Sequence, residues 1–183
     1  MPTALPDFEL GPALTEEQLR YLDEHGLLRF RSALSPEELR LCREELERLA
    51  AAFLEEDRRT VLGIPLLFGE DQSTRFVSRM AFASHYSPTL ATLLRSQRFE
   101  PIRALMGSGA RLMETERFGT YANDLRGPDC ASSMGWHTDG VKELFRLRWP
   151  SRNLQVCLHL DDQTPAMGGV RVLAGTHEQG LDG

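Results

Sequence analysis

The sequence predicts an α+β fold, with helices in the first part of the chain and antiparallel strands in the second. Before residue 107, apolar residues recur at spacings of three and four, which is the periodicity of a buried helix face. After residue 111, short alternating apolar runs are separated by segments rich in turn residues. Helices followed by strands, rather than alternating with them, favour an α+β domain over a βαβ fold.

Length and composition are those of an ordinary globular protein. The chain has 183 residues, of which 41% are hydrophobic and 26% charged, so we expect one domain over 1–183. The net charge of −6 comes without a basic cluster, which disfavours nucleic acid and anionic membranes as partners. The three cysteines are odd in number and lack CxxC spacing, and the N-terminus lacks a signal-peptide pattern. We therefore expect a cytoplasmic protein with reduced thiols.

Two capped helices are predicted at the start of the chain. The capping box TEEQ at 15–18 begins the first helix, and Gly26 is placed to end it. Residues 27–31 follow as a short strand candidate. The segment SPEE at 35–38 begins the second helix with a cap, a proline in the first turn and another capping box. Its buried face is predicted to contain Leu39, Cys42, Leu46, Leu49 and Phe53.

The middle of the chain has a weaker pattern. Residues 60–87 mix glycine, proline, phenylalanine and polar residues without a steady period, so we predict a loop with short irregular elements. A helical region then runs from Ser87 to Gly107, with a predicted break at Pro101.

Strands are predicted in the last third of the chain. Residues 111–121 and 170–173 are strand candidates, and residues 123–135 form a loop rich in turn residues. Residues 153–160 alternate, so opposite sides of one strand are expected to carry two sets of residues. One set is Leu154, Val156, Leu158 and Leu160, and the other is Gln155, Cys157 and His159.

The sharpest local feature is the motif GWHTDG at 135–140. In a strand, residues i and i+2 project to the same side, so His137 and Asp139 can converge on one point. Together with a second histidine they would make the 2-His-1-carboxylate site of iron(II) oxygenases. A bare HxD triplet is common, however, and is more often a surface histidine near a carboxylate.

Four segments occur in a fixed order along the chain. They are LTEEQLRYLDEHGLLRFRSALSPEEL, GWHTDG, NLQVCLHLDD and GGVRVLAGTHEQG. Taken together, this order resembles the phytanoyl-CoA dioxygenase family, which includes ectoine hydroxylase-like enzymes. The resemblance runs from about Leu14 to the C-terminus, and it is specific for the family but not for the substrate.

The resemblance implies a double-stranded β-helix, which is a cupin-like jelly roll, with N-terminal helices. On that pattern residues 14–107 are a mainly helical flank, and residues 111–183 are the first part of the jelly-roll core. It also implies iron(II) bound by His137 and Asp139, with 2-oxoglutarate as co-substrate. The expected reaction is dioxygen-dependent hydroxylation of a small organic metabolite.

The same resemblance suggests the residues around the metal. Thr120, on the strand before the HxD motif, and Cys157 are candidates to line the 2-oxoglutarate site. Arg117 is a candidate to bind an anionic group of the substrate, and a solvated surface arginine is an equally favoured interpretation. A register shift of one residue would exchange the two faces of these strands.

The sequence departs from the family pattern in two respects. Relatives carry a second metal-binding histidine, followed by an arginine that binds the far carboxylate of 2-oxoglutarate, beyond the GTH segment at 175–177. This sequence ends at Gly183, before either residue, and has Ala174 where relatives usually have proline. We therefore expect a shortened domain, missing its last strands, that binds iron weakly and forms little product by itself.

His159 and His177 are the remaining candidates for a third ligand. Relatives carry a PGSH-like segment where this sequence has AGTH at 174–177. His177 matches the histidine of that segment, which is not the distal ligand in the family. His159 shares a strand face with Cys157. A hydrogen-bonded structural histidine is the favoured interpretation for both.

An alternative function follows from the same departures. The chain would then be an inactive or truncated barrel that serves as a binding or assembly module. Unpaired strand edges and exposed apolar residues such as Leu154, Val156 and Leu158 would favour self-association.

Overall fold

The computed structural model describes residues 5–71, 74–108, 120–121, 136, 154–162 and 169–178. The predicted mixture of helices and strands is confirmed in this part of the chain. In chain order the elements before the first hairpin are β1 (Phe8–Glu9), α1 (Glu16–His25), β2 (Phe30–Arg31) and α2 (Pro36–Glu55). The following elements are β3 (Thr60–Val61), β4 (Ile64–Pro65), β5 (Leu67–Asp71), β6 (Thr74–Met80), α3 (Ala83–Tyr86), α4 (Pro88–Leu94), α5 (Glu100–Ala104) and β7 (Thr120–Tyr121). Short 3-10 turns occupy Gln97–Phe99 and Thr176–Glu178.

Helix α1 forms where its caps predict it. The backbone N–H of Gln18 donates to the Thr15 hydroxyl at 3.2 Å, and the Gln18 side chain accepts from the Thr15 N–H at 2.9 Å. Gly26 ends the helix with a left-handed φ of 75°, and its N–H donates to the Leu22 carbonyl. The buried Gln18 amide also donates to the Glu9 carbonyl at 2.9 Å, which ties α1 to β1.

Helix α2 provides the central packing face. The capping box at Ser35 and Glu38 is confirmed, and the predicted apolar face is buried or half-buried along the helix. Cys42, Leu49 and Phe53 lie in a core cluster with residues from the strands and helices that follow. Those partners include Val61, Leu66, Val77, Met80, Phe82 and Leu90.

The prediction of a loop over 60–87 is wrong, because most of this region forms two antiparallel hairpins. Strand β3 pairs with β4, and β5 pairs with β6 with a register shift between Leu67 and Phe68. Leu62 and Gly63 both have positive φ in the turn between β3 and β4, which is the backbone of a type I′ hairpin turn. Leucine rarely adopts that conformation. The sequence has Leu-Gly here and lacks the Asn-Gly pair that would have predicted the turn.

The helical region after Ser87 breaks earlier than predicted. Helix α4 ends at Leu94, and Ser96 begins the 3-10 turn, so the break precedes Pro101. Pro101 lies in the first turn of α5, where its missing N–H would have no helical partner in any case.

The strands predicted at 153–160 and 170–173 are not seen as regular strands in the described residues. Leu154, Leu158 and Leu160 nevertheless pack against a second core cluster formed by Leu34, Phe99 and Ile102. Val156 is 42% exposed, unlike these three half-buried leucines, so the predicted alternation in burial fails at this position.

Strand β7 extends the largest sheet among the described residues, whose order is β5-β6-β7. Thr120 pairs with Met80 and Tyr121 with Arg79. The other sheets have two strands each, so the described strands alone do not establish the predicted jelly roll. In the part of the chain described here, no helix is long and apolar enough to cross a membrane.

A hydrogen-bond network connects α2 to α4. Ser87 is fully buried, and its hydroxyl caps α4 by accepting from the Leu90 N–H at 3.2 Å. Glu45 on α2 accepts hydrogen bonds from Arg48, at 2.9 and 3.2 Å, and from the Ser87 hydroxyl. These bonds lower the pKa of Glu45 to about 2.

We predict that Glu45→Gln weakens the acid dependence of stability. Because the pKa of Glu45 is lower in the folded state, its stabilising contribution is fully present above about pH 4.5 and is lost as pH falls toward about 2. Urea unfolding across this range should therefore show a smaller fall in the free energy of unfolding for Glu45→Gln than for wild type. Glu47→Gln, at an exposed position on the same helix, is the control and should follow wild type. Parallel curves for wild type and Glu45→Gln would contradict the assignment.

Candidate metal centre

The residues predicted to bind metal and substrate differ in how much the structure says of them. His137, Asp139 and Arg117 lie outside the described residues. Thr120 is placed by its backbone in β7, opposite Met80, and its side chain is outside the description. Cys157 is described and exposed.

Trp136 is the described neighbour of the HxD motif. The residue is 61% exposed, and the guanidinium carbon of Arg171 lies 5.3 Å from the ring centroid. This separation is within the range of a cation–π interaction. The contact joins the residue next to His137 to the segment that resembles the PGSH-like segment of the family.

The segment 154–162 is held against the helices by one of its sides. Leu158 and Leu160 pack on the second core cluster, and Arg43 of α2 donates to the Leu160 carbonyl. Arg43 also pairs with Asp161 at 2.9 Å. Cys157 and His159 are exposed, so this segment presents them away from the helical layer. That placement agrees with the predicted alternation at Cys157 and His159.

His177 contacts the C-terminal end of α1. Its Nε2 lies 3.0 Å from the Asp23 carbonyl oxygen, a distance at which a protonated Nε2 donates a hydrogen bond. Its ring also fills the space that a Cβ at Gly26 would occupy. The Gly175 N–H donates to the His25 carbonyl at 2.9 Å. This geometry gives His177 a structural contact, as the favoured interpretation of the sequence expects.

Metal donors do not cluster elsewhere in the described part of the chain. No group of three or more histidine, cysteine, aspartate or glutamate side chains among those residues could hold a metal ion. The predicted ligands, His137 and Asp139, would offer an imidazole nitrogen and a carboxylate oxygen two residues apart in the sequence. Both donors suit a divalent first-row metal such as iron(II).

A comparison with protein-family models identifies the family. The model described as phytanoyl-CoA dioxygenase (PhyH) matches residues 22–182. The chain belongs to the phytanoyl-CoA dioxygenase family. This match covers the HxD motif, the 154–162 segment and the GTH segment together.

A curated relative supports the same assignment of the chain to the phytanoyl-CoA dioxygenase family. The ectoine dioxygenase of Nocardia farcinica (strain IFM 10152) is 30% identical over 166 residues. The alignment covers 88% of this chain and 50% of the relative, so the chain spans about half the length of that protein. No solved structure matches the chain at a significant level.

Sequence reasoning missed Arg171 as a neighbour of the motif in this phytanoyl-CoA dioxygenase family member. The residue stands between two valines in a run predicted as a strand, which gives it the pattern of an ordinary solvent-facing arginine. Its contact with Trp136 depends on tertiary structure. The only sequence signal is that both residues belong to segments of the family pattern.

The exposure of Cys157 predicts a difference in thiol reactivity. Cys42 is 3% exposed, and burial, with a contribution from Glu38, raises the pKa of its thiol. Cys157 is exposed, so iodoacetamide should alkylate it well before Cys42. Time-resolved peptide mapping by mass spectrometry assigns each thiol separately and keeps Cys130 apart from both. Equal rates at Cys42 and Cys157 would contradict the described placement.

Proposed function

We propose that this chain provides part of the active site of an Fe(II)- and 2-oxoglutarate-dependent dioxygenase that hydroxylates a small organic metabolite. The observation that carries the proposal is the HxD motif at His137 and Asp139, inside the region that the family model matches. The curated relative is itself a dioxygenase, and it contributes support at the level of reaction class. Because the chain spans half of that relative, the activity of the whole protein is part of the proposal.

The proposed metal ligands are His137 and Asp139. In an extended segment the two side chains project to one side, so they can bind one ion without a turn between them. Bound iron would supply dioxygen activation, with 2-oxoglutarate as the co-substrate that is oxidised alongside the metabolite. The ligands' task is to hold the metal at a fixed place and to leave coordination positions for the co-substrate.

The surroundings of the co-substrate are proposed from strand β7 and from the segment 154–162. Cys157 is proposed to line the 2-oxoglutarate site. Its exposure supports this role, because Leu158 and Leu160 on the same segment pack against the helices instead. Thr120 lies on β7, one of the two outer strands of the described three-stranded sheet. Arg117, three residues before Thr120, is proposed to bind an anionic group of the substrate.

The remaining assignments concern architecture and location. We propose that residues 14–107 flank a jelly roll whose first part is formed by residues 111–183, and that the protein is cytoplasmic. His177 is not proposed as the third metal ligand, since its Nε2 is engaged with the Asp23 carbonyl. A second histidine ligand is required by the 2-His-1-carboxylate pattern and is left unassigned.

Anaerobic titration of the chain with iron(II) tests the proposed ligands. His137→Ala/Asp139→Ala should bind iron(II) at least roughly tenfold to a hundredfold more weakly than wild type, because even outer contacts of a metal site contribute that much. His85→Ala, an exposed histidine on α3, is the matched control and should bind as wild type does. Equal binding by wild type and the double variant would contradict the assignment of His137 and Asp139 as metal ligands. That result would favour a binding or assembly module.

Iron-dependent consumption of 2-oxoglutarate tests the reaction class. The assay needs a protein that contains this segment and supplies a second histidine ligand and an arginine for the far carboxylate of 2-oxoglutarate. Asp139→Ala should abolish succinate formation, since one of the ligands is lost. Cys157→Ala should only reduce it, since the side chain lines the site without binding metal. Succinate formation that is unaffected by Asp139→Ala would contradict the proposal.

A further inference from the structure

Residues 171–177, which we call the strap, contact two parts of the chain that are distant in sequence. One end carries Arg171, whose guanidinium stacks on Trp136. The other end carries Gly175 and His177, which bind the backbone of α1. The strap therefore bridges Trp136, the residue before the HxD motif, and the first helix.

The contact with α1 completes the end of a helix. The last carbonyl groups of a helix have no partner within the helix and need a donor from elsewhere. In α1 the Asp23 carbonyl lies within hydrogen-bond distance of His177 Nε2, and the His25 carbonyl accepts from the Gly175 N–H. Gly26 allows the approach because it has no Cβ, and the His177 ring occupies that space. The far end of the strap is thus held by hydrogen bonds and by close packing.

The strap also has an internal constraint between its two ends. Gly175 adopts a left-handed φ of 78°. The Thr176 hydroxyl donates to the Leu173 carbonyl at 2.8 Å, which closes a turn just before His177. The turn limits the freedom of the chain between the two contacts, so the fixed end at α1 restricts where Arg171 can lie.

From these contacts we infer that the strap positions His137 for metal binding, acting through Arg171 and Trp136. Trp136 precedes His137 directly, and consecutive Cα atoms are only about 3.8 Å apart across a trans peptide. The inference rests on the proposed function, because it concerns the placement of a proposed ligand. Arg171 and His177 are positioning residues in this arrangement and do not touch the metal.

Two pairs of variants separate this role from general destabilisation. Arg171→Ala removes the cation–π contact, whereas Arg171→Lys keeps a cation that can lie over the Trp136 ring. Gly26→Ala places a Cβ where the His177 ring lies, whereas Gly63→Ala has a similar positive φ but open space around it. Both alanines carry the same kind of backbone strain, so their difference reports the contact with the strap.

The test uses cobalt(II) in place of iron(II), titrated under anaerobic conditions and followed by its visible absorption. Arg171→Ala should raise the Kd for cobalt(II) roughly twofold to fivefold, the factor that corresponds to an exposed cation–π contact. Gly26→Ala should raise it as well, while Arg171→Lys and Gly63→Ala stay near wild type. Acrylamide quenching of Trp136, in a Trp149→Phe background, should increase in Arg171→Ala and Gly26→Ala even without metal. Circular dichroism checks that each variant is folded. If Gly26→Ala does not fold, the comparison of Arg171→Ala with Arg171→Lys decides the test.

The outcomes distinguish the inference from the function on which it rests. Wild-type cobalt(II) affinity in both Arg171→Ala and Gly26→Ala, with normal binding by wild type, would overturn the role of the strap alone. A wild-type chain that binds cobalt(II) no better than His137→Ala/Asp139→Ala would overturn the proposed function and this inference together.

Discussion

Burial of the apolar face of α2 is the interaction on which the described fold depends. Leu49 and Phe53 are almost fully buried against Val77 and Met80 of the sheet and against the helices that follow it. Full burial of a side chain of this size contributes about 1.5–3 kcal/mol. A two-stranded hairpin is marginally stable by itself in water, and β7 pairs with β6 at only two described positions, so β5 and β6 need packing against this helix. The segment 154–162 is then placed by a salt bridge and a carbonyl contact from Arg43 on the same helix.

The parts of the fold that local chemistry determines could be predicted from the sequence. The caps at Thr15 and Ser35, the stop at Gly26 and the buried face of α2 all follow from residues within a few positions of each other. The β3–β4 and β5–β6 hairpins could not be predicted, since the first turn uses Leu62 in a conformation that leucine rarely adopts. Val61 and Ile64, on either side of that turn, lie in or against the core cluster with α2, and such contacts between distant segments have no signature in a short window of sequence.

The same distinction between local sequence patterns and long-range contacts applies to the candidate site. The HxD pair is a local pattern, so sequence alone identifies His137 and Asp139 as candidate ligands, and the family match covers them. The exposed position of Cys157 follows from alternation along its segment, whereas Val156 departs from the alternation because it is exposed as well. The contacts of Arg171 and His177 join segments far apart in the chain. Their partners depend on how the helical layer and the last segment meet, which no single pattern specifies.

The close packing of His177 on Gly26 means that the residue at either position limits which residues the other can accept. Asparagine often replaces glycine at the end of a helix, because it tolerates a left-handed backbone. Here that exchange is blocked by the imidazole ring, which occupies the space of the missing side chain. A larger residue at position 26 would be accepted only alongside a smaller one at position 177. Among homologous sequences the two sites should therefore vary as a correlated pair, even though 150 positions separate them in the chain.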